Sequence, residues 1–139
     1  MFNKKYDERL SVWSSFRDSL EESNDPLQDV IDFYQQAPYV SMHTDPYDKN
    51  AWPSAWELLD ENRYCDFCRV LAYYYSLQLT ERFKDSKFEI HINTTKDQTF
   101  YTLIVDDMVL GYKENKAVDL KEIPLEFKSQ VVHVMTKGQ

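Results

Sequence analysis

Cys65-Asp66-Phe67-Cys68-Arg69-Val70-Leu71-Ala72-Tyr73-Tyr74-Tyr75-Ser76-Leu77-Gln78-Leu79, followed after a charged break by Phe88-Glu89-Ile90-His91-Ile92-Asn93, is the stretch that decides the fold. Cys68, Leu71, Ala72, Tyr75 and Leu79 fall on one helical stripe, and Phe67, Val70, Tyr74 and Leu77 fall on a second beside it. A helix apolar over most of its circumference is a buried one. The spacing predicts a central helix within residues 63–83, with Leu71, Ala72, Tyr75 and Leu79 largely buried. The period then drops from 3.6 to 2: Phe88, Ile90 and Ile92 alternate with Glu89, His91 and Asn93, the pattern of a half-buried strand.

Working outward toward the N-terminus, Tyr6, Leu10, Trp13 and Leu20 recur at helical spacing and predict a helix over 4–21. Asn24 or Asp25 then offers an N-cap with Pro26 at the first helical position, predicting a second helix over 26–36. Residues 37–53, punctuated by Pro38, Pro46 and Pro53, read as a loop of unusual length. Ser54 followed by Glu57 is a capping box that starts a short helix. On the C-terminal side, strands are expected at 99–105, 108–112, 117–123 and 130–135, with Asp106-Asp107 as a tight hairpin and a polar connection after Pro124. Helices followed by a meander of strands indicate an α+β fold: N-terminal helices and one buried central helix on a mainly antiparallel sheet of three to five strands. The 139 residues fit a single domain, 1–139, with a helical half at 4–83 and a β-rich half at 87–135.

Composition narrows the function classes. The net charge is −8, from 16 Lys+Arg against 24 Asp+Glu, and no more than two basic residues adjoin. Nucleic acid and anionic membrane are therefore unfavourable partners, and a basic protein surface is an easier one. Two glycines leave no material for a phosphate-binding loop. No apolar run suits a membrane span or a signal peptide, and two cysteines suit a reducing compartment, so the expected location is cytoplasmic.

Cys65 and Cys68 stand near the start of the central helix, where the helix dipole favours a thiolate. They are also small, buried hydrophobes one turn apart, which is the ordinary reading. Zinc lacks a second ligand pair, because His43, His91 and His133 are scattered in sequence, and no metal or other cofactor is expected. His91, flanked by Glu89 and Asn93, is a candidate general base or simply part of a solvated strand face. His133 reads as structural, and residues 45–50 as a solvated turn without the glycine of a calcium loop. Tyr73, Tyr74 and Tyr75 point about 100° apart and read as core aromatics. Tyr47, Trp52 and Trp56 in and beside the long loop are the candidate partner or ligand site, with Trp52 the more exposed tryptophan and Trp56 the staple.

Arg63-Tyr64-Cys65-Asp66-Phe67-Cys68, leading into Leu71-Ala72-Tyr73-Tyr74, resembles the central helix of transglutaminase-like cysteine proteins. The order of elements over 54–112 is similar as well. With the family's acidic-aromatic-small triplet on Asp66-Phe67-Cys68, its nucleophile position falls on Tyr64, one residue before Cys65. Its histidine position falls within Thr99–Tyr101 and its aspartate position on Tyr112. The resemblance implies the topology, while the three catalytic positions depart from the pattern. A second resemblance, running from Trp52–Leu58 through Tyr64-Cys65 to Leu77–Phe83, is to small uncharacterised proteins of tailed phages that infect marine cyanobacteria; it implies a viral or marine-metagenomic origin, with host cytoplasm or virion as the location, and no activity. The leading functional expectation is a non-catalytic interaction or accessory protein with an unknown protein partner. The alternative is a cysteine-dependent hydrolase or acyltransferase using Cys65 with His91.

Overall fold

The computed structural model describes residues 1–124 and 128–135, with the backbone alone for 128–130. Helices α1 (Tyr6–Leu20), α2 (Pro26–Tyr34), α3 (Ala55–Glu61) and α4 (Asp66–Gln78) precede strands β1 (Phe88–Thr94), β2 (Thr99–Val105), β3 (Met108–Leu110), β4 (Val118–Asp119) and β5 (Lys128–Met135). Short 3-10 turns occupy Lys49–Ala51 and Leu120–Glu122. The fold is α+β, as the change of period predicts. The polar connection expected after Pro124 lies outside the described residues at 125–127.

The helix starts follow from local chemistry. Asp25 caps α2 by accepting from the Gln28 N–H, with Pro26 in the first turn. Ser54 and Glu57 form the expected capping box: Glu57 N–H donates to Ser54 Oγ at 3.2 Å, and Ser54 N–H donates to Glu57 Oε1 at 3.1 Å. α4 ends at Gln78, short of the predicted 83, and Leu79 is 41% exposed instead of buried. The cause is tertiary. The Glu21 carboxylate at the end of α1 accepts the N–H groups of Glu81 and Arg82, both at 2.9 Å, and Arg82 donates to Leu20 O at 3.0 Å. These bonds pull the chain off the helix axis to finish α1.

α4 is the core element. Phe67, Cys68, Leu71, Tyr74 and Leu77 have essentially no exposed surface. One side of α4 meets α1, α2 and α3, and the other meets β2. Ser76 sits among the apolar residues of α4 and is fully buried. It accepts from Trp13 Nε1–H at 2.9 Å and bonds the Tyr34 hydroxyl at 2.9 Å, so one hydroxyl joins α1, α2 and α4. Buried polar groups need such partners, and here each supplies the other's.

The sheet runs β4-β3-β2-β1-β5, antiparallel throughout, with β5 at one edge. The β2–β3 hairpin turns on Asp106, at φ 54°, held by Lys87 N–H donating to its Oδ1 at 3.0 Å. Phe88, Ile90 and Ile92 of β1 face the core, so Glu89, His91 and Asn93 face the other side. That second face is not uniformly solvated. Asn93 and Thr102 are buried, and Thr102 Oγ1 donates to Asn93 Oδ1 at 2.9 Å. Leu120 and Ile123 lie over this patch with His91, Ile104 and Val109. No helix among the described residues is long and apolar enough to cross a membrane.

Candidate functional site

The long loop is tied to the start of α4 by backbone pairing. Tyr64 N–H donates to Pro38 O at 2.9 Å and Val40 N–H donates to Tyr64 O at 3.2 Å, a one-residue parallel bridge between Tyr39 and Tyr64. The loop then runs across the α4 N-terminus. Thr44 is buried with its Oγ1 3.3 Å from Cys68 Sγ. Trp52 donates to Asp45 O at 3.2 Å and lays its ring against Phe67 and His133, with centroids 5.1 and 4.8 Å away. Tyr75 OH closes the far end by donating to Pro53 O at 2.6 Å.

Beneath this loop Cys65 is the N-cap of α4, and its sulfur accepts the Cys68 N–H at 3.4 Å. The Cys68 thiol, the Cys68 N–H and the His43 N–H all direct hydrogen toward that sulfur, and the His43 ring adds a favourable field. The thiol bond from Cys68 contributes most, and together they hold Cys65 below the ordinary thiol range against the opposing effect of burial. Cys68 moves the opposite way, because it keeps the shared proton and is buried. His43 Nε2 lies 3.9 Å from Glu61 Oε2, at the end of α3. The ligand atoms of His43, Cys65 and Cys68 all lie within 4.8 Å of one another.

Beside this group, between α4 and the ends of β2 and β3, is a cleft of about 260 Å³ lined by Asp66, Arg69, Tyr73, Tyr101, Tyr112 and Lys113, among others. Its wall and the thiol pair are neighbours: the Tyr101 hydroxyl is pushed up by burial and then by Tyr47, Cys65 and Asp66. Arg69 keeps a buried Nε without a hydrogen-bond partner and lies over the Tyr39 ring at 6.0 Å. Gly111 closes the cleft floor at φ +99°, where a Cβ would stand 2.6 Å from Tyr101 O.

The sequence-predicted residues separate into two places. Tyr47, 53% exposed, and Cys65 both act electrostatically on Tyr101, and Trp52 anchors the same loop. The two tryptophans exchange the expected roles: Trp52 packs against the core, and Trp56 is 49% exposed with its edge on Trp13 at 5.5 Å. His91 does not join Cys65. Strand alternation puts it on the sheet face away from α4, where its Nε2 is 3.0 Å from Glu89 Oε1. The histidine that does reach the thiols is His43. Its pairing depends on the Tyr39–Tyr64 bridge, a contact between residues 25 apart that no local pattern announces. His133 has the structural role expected, with Nε2–H on Pro46 O at 3.2 Å and its ring against Trp52.

Among solved structures, the fold is similar to calcium-bound LapG of Legionella pneumophila, with a TM-score of 0.66 at 18% identity over 98% of this chain and 83% of that one. At that identity the likeness is one of fold alone. No family model matches the chain, and no curated protein does either. The positions where the transglutaminase-like pattern carries histidine and aspartate, Thr99–Tyr101 and Tyr112, both lie on the wall of the cleft.

Proposed function

We propose that this chain is a cysteine-dependent hydrolase or acyltransferase in which Cys65 is the nucleophile, His43 the acid–base group and Glu61 the carboxylate that orients it. The observation that carries the reading is Cys65 at the N-terminus of the central helix with His43 beside it. A thiolate there is stabilised by the helix N-terminus and by the Cys68 and His43 N–H groups. LapG, a cysteine protease with a transglutaminase-like fold, lends support through its similar architecture. In the reaction, the Cys65 sulfur attacks an acyl carbon, the C–S bond forms and the C–N or C–O bond to the leaving group breaks. His43 gives the leaving group its proton. Water or an acceptor amine then attacks the thioester, His43 takes the proton of that attacker, and the thiolate is released. The cleft walled by Tyr101 and Tyr112 is the substrate channel of this reading. Cys65 is 1% exposed, so entry requires the 41–48 segment to shift.

The test is alkylation of reduced, folded protein by iodoacetamide at pH 6. An ordinary thiol of pKa ~8.5 is only roughly 0.3% thiolate there. A stabilised Cys65 should label faster than free cysteine at that pH, with a rate nearly flat between pH 6 and 8, and Cys65→Ser should abolish the fast phase. Labelling slower than free cysteine at pH 6, rising tenfold per pH unit, would remove the enzyme reading.

A second reading, the interaction or accessory protein, is favoured by a separate observation. Tyr39, Met42 and Tyr47 are exposed together in the loop, and Val132 and Val134 are exposed on edge strand β5. Exposed aromatic anchors are features of binding surfaces, and the net charge of −8 suits a basic partner. Retained solubility and an unreactive Cys65 would leave this reading in place.

A further inference from the structure

We infer that His43, Cys65 and Cys68 form a binding site for one thiophilic divalent cation of the zinc class. This goes beyond the proposed catalysis and does not depend on it: the same three groups would hold the ion whether or not Cys65 ever attacks a substrate. The argument starts from the donor set. Two sulfurs and one imidazole are the ligands zinc-class ions select over magnesium or calcium, which take oxygen.

Geometry is the second support. In a tetrahedral site with Zn–S about 2.3 Å, two sulfurs stand about 3.8 Å apart. The three donor atoms lie within 4.8 Å of one another, so they need to close by no more than about 1 Å to reach that spacing. The backbone needs no rearrangement, since Cys65 and Cys68 are the N-cap and third residue of one helix and already face each other across one turn. The third support is what surrounds the donors. Glu61, 3.9 Å from His43 Nε2, is placed to orient the imidazole, and the Thr44 hydroxyl, 3.3 Å from Cys68 Sγ, is placed to donate to a coordinated thiolate. Cys65 and Cys68 are otherwise sealed from solvent by the loop, so the fourth position opens on the side of the partly exposed His43. The loop that carries His43 is fixed to the helix that carries both thiols by the Tyr39–Tyr64 bridge and by Trp52. A bound ion would therefore cross-link the loop to α4, and would mask Cys65.

Cobalt(II) titration of the full chain, stripped with chelator and kept reduced without oxygen, reads the site directly. One equivalent should bind, with sulfur-to-cobalt charge-transfer absorption in the near ultraviolet and tetrahedral d–d bands in the visible, and zinc(II) should bleach both. Cys68→Ser should halve the charge-transfer intensity. His43→Gln, a change in the loop that leaves the helix intact, should weaken binding by at least the ~10–100-fold that loss of an outer-shell partner costs. Absence of charge-transfer bands in folded wild-type protein, or stoichiometric binding undiminished in both variants, would overturn the site. Iodoacetamide labelling of the same stripped protein keeps the two readings apart. Cobalt binding with slow labelling upholds the metal site and removes the catalytic reading, and fast labelling without cobalt binding does the reverse.

Discussion

Replacing Ser76 by Ala tests the packing that holds α4, and with it Cys65, in place. The Ser76 hydroxyl is bonded at 2.9 Å to both Trp13 Nε1 and the Tyr34 hydroxyl, and all three residues are 0–1% exposed. The substitution deletes the acceptor of a buried indole N–H and the partner of a buried phenol. Leaving a buried polar group unsatisfied costs about 1–3 kcal/mol. Two such groups, less about 0.5 kcal/mol for alanine's better helix propensity, give a net loss of about 1.5–5.5 kcal/mol. For a chain of this length that is a fall in Tm of roughly 5–20 °C, against a total stability of ~5–15 kcal/mol. The assay is urea unfolding followed by tryptophan fluorescence and far-UV circular dichroism, and the slope should be unchanged so that the midpoint reports stability. Pairing Ser76→Ala with Tyr34→Phe should show a coupling of about 0.5–3 kcal/mol, since each change removes the other's bond. A loss below about 0.5 kcal/mol, or strict additivity in the cycle, would show that the three helices are not joined through this hydroxyl.

Leu71→Ala should cost about 2–5 kcal/mol in the same assay, because Leu71 is fully buried between the helical layer and the sheet; a loss below about 1 kcal/mol would make α4 peripheral. Gly111→Ala should destabilise by about 1–3 kcal/mol from the positive φ alone, and further because the added Cβ meets Tyr101 O at 2.6 Å; urea midpoints equal to wild type would contradict the described end of β3. Burial pushes Tyr73, Tyr74 and Tyr75 up to about 12, and pushes Tyr34 and Tyr64 higher still. Groups raised above their unfolded value of ~10 lend stability that is complete below pH ~10 and is lost as pH rises through the folded values. Tyrosinate absorbance should therefore appear in two stages between pH 10 and 12, the second coinciding with loss of the far-UV signal. Titration of all ten tyrosines near pH 10 with the fold intact would refute the buried assignments.

Much of the architecture is written locally. The twin apolar stripes of residues 67–77 can be satisfied only by burial on both sides, and α4 is buried on both sides. The Ser54–Glu57 box and Asp25-Pro26 set helix starts through bonds spanning three residues, so they are visible in any short window. The change to period 2 at Phe88 fixes which side chains of β1 enter the core. The same alternation places His91 on the far face, so its separation from Cys65 follows from a rule of strands and not from an accident of packing.

By itself, then, the sequence determined the α+β class, the central helix, the faces of its strands and a cysteine at a helix start, because each rests on contacts between near neighbours. Tertiary structure alone decided the rest. Where α4 stops depends on the Glu21 carboxylate, 60 residues from the N–H of Glu81 that it accepts. Which of Trp52 and Trp56 packs onto the core depends on where the loop lands, with Trp52 against Phe67 and His133. Which histidine meets the thiols depends on one backbone bridge, Tyr39 to Tyr64, that swings His43 over Cys65 and Cys68. Such meetings are fixed by closing a loop against a helix already packed, a gain shared among many weak contacts, so no single residue pattern carries them in advance.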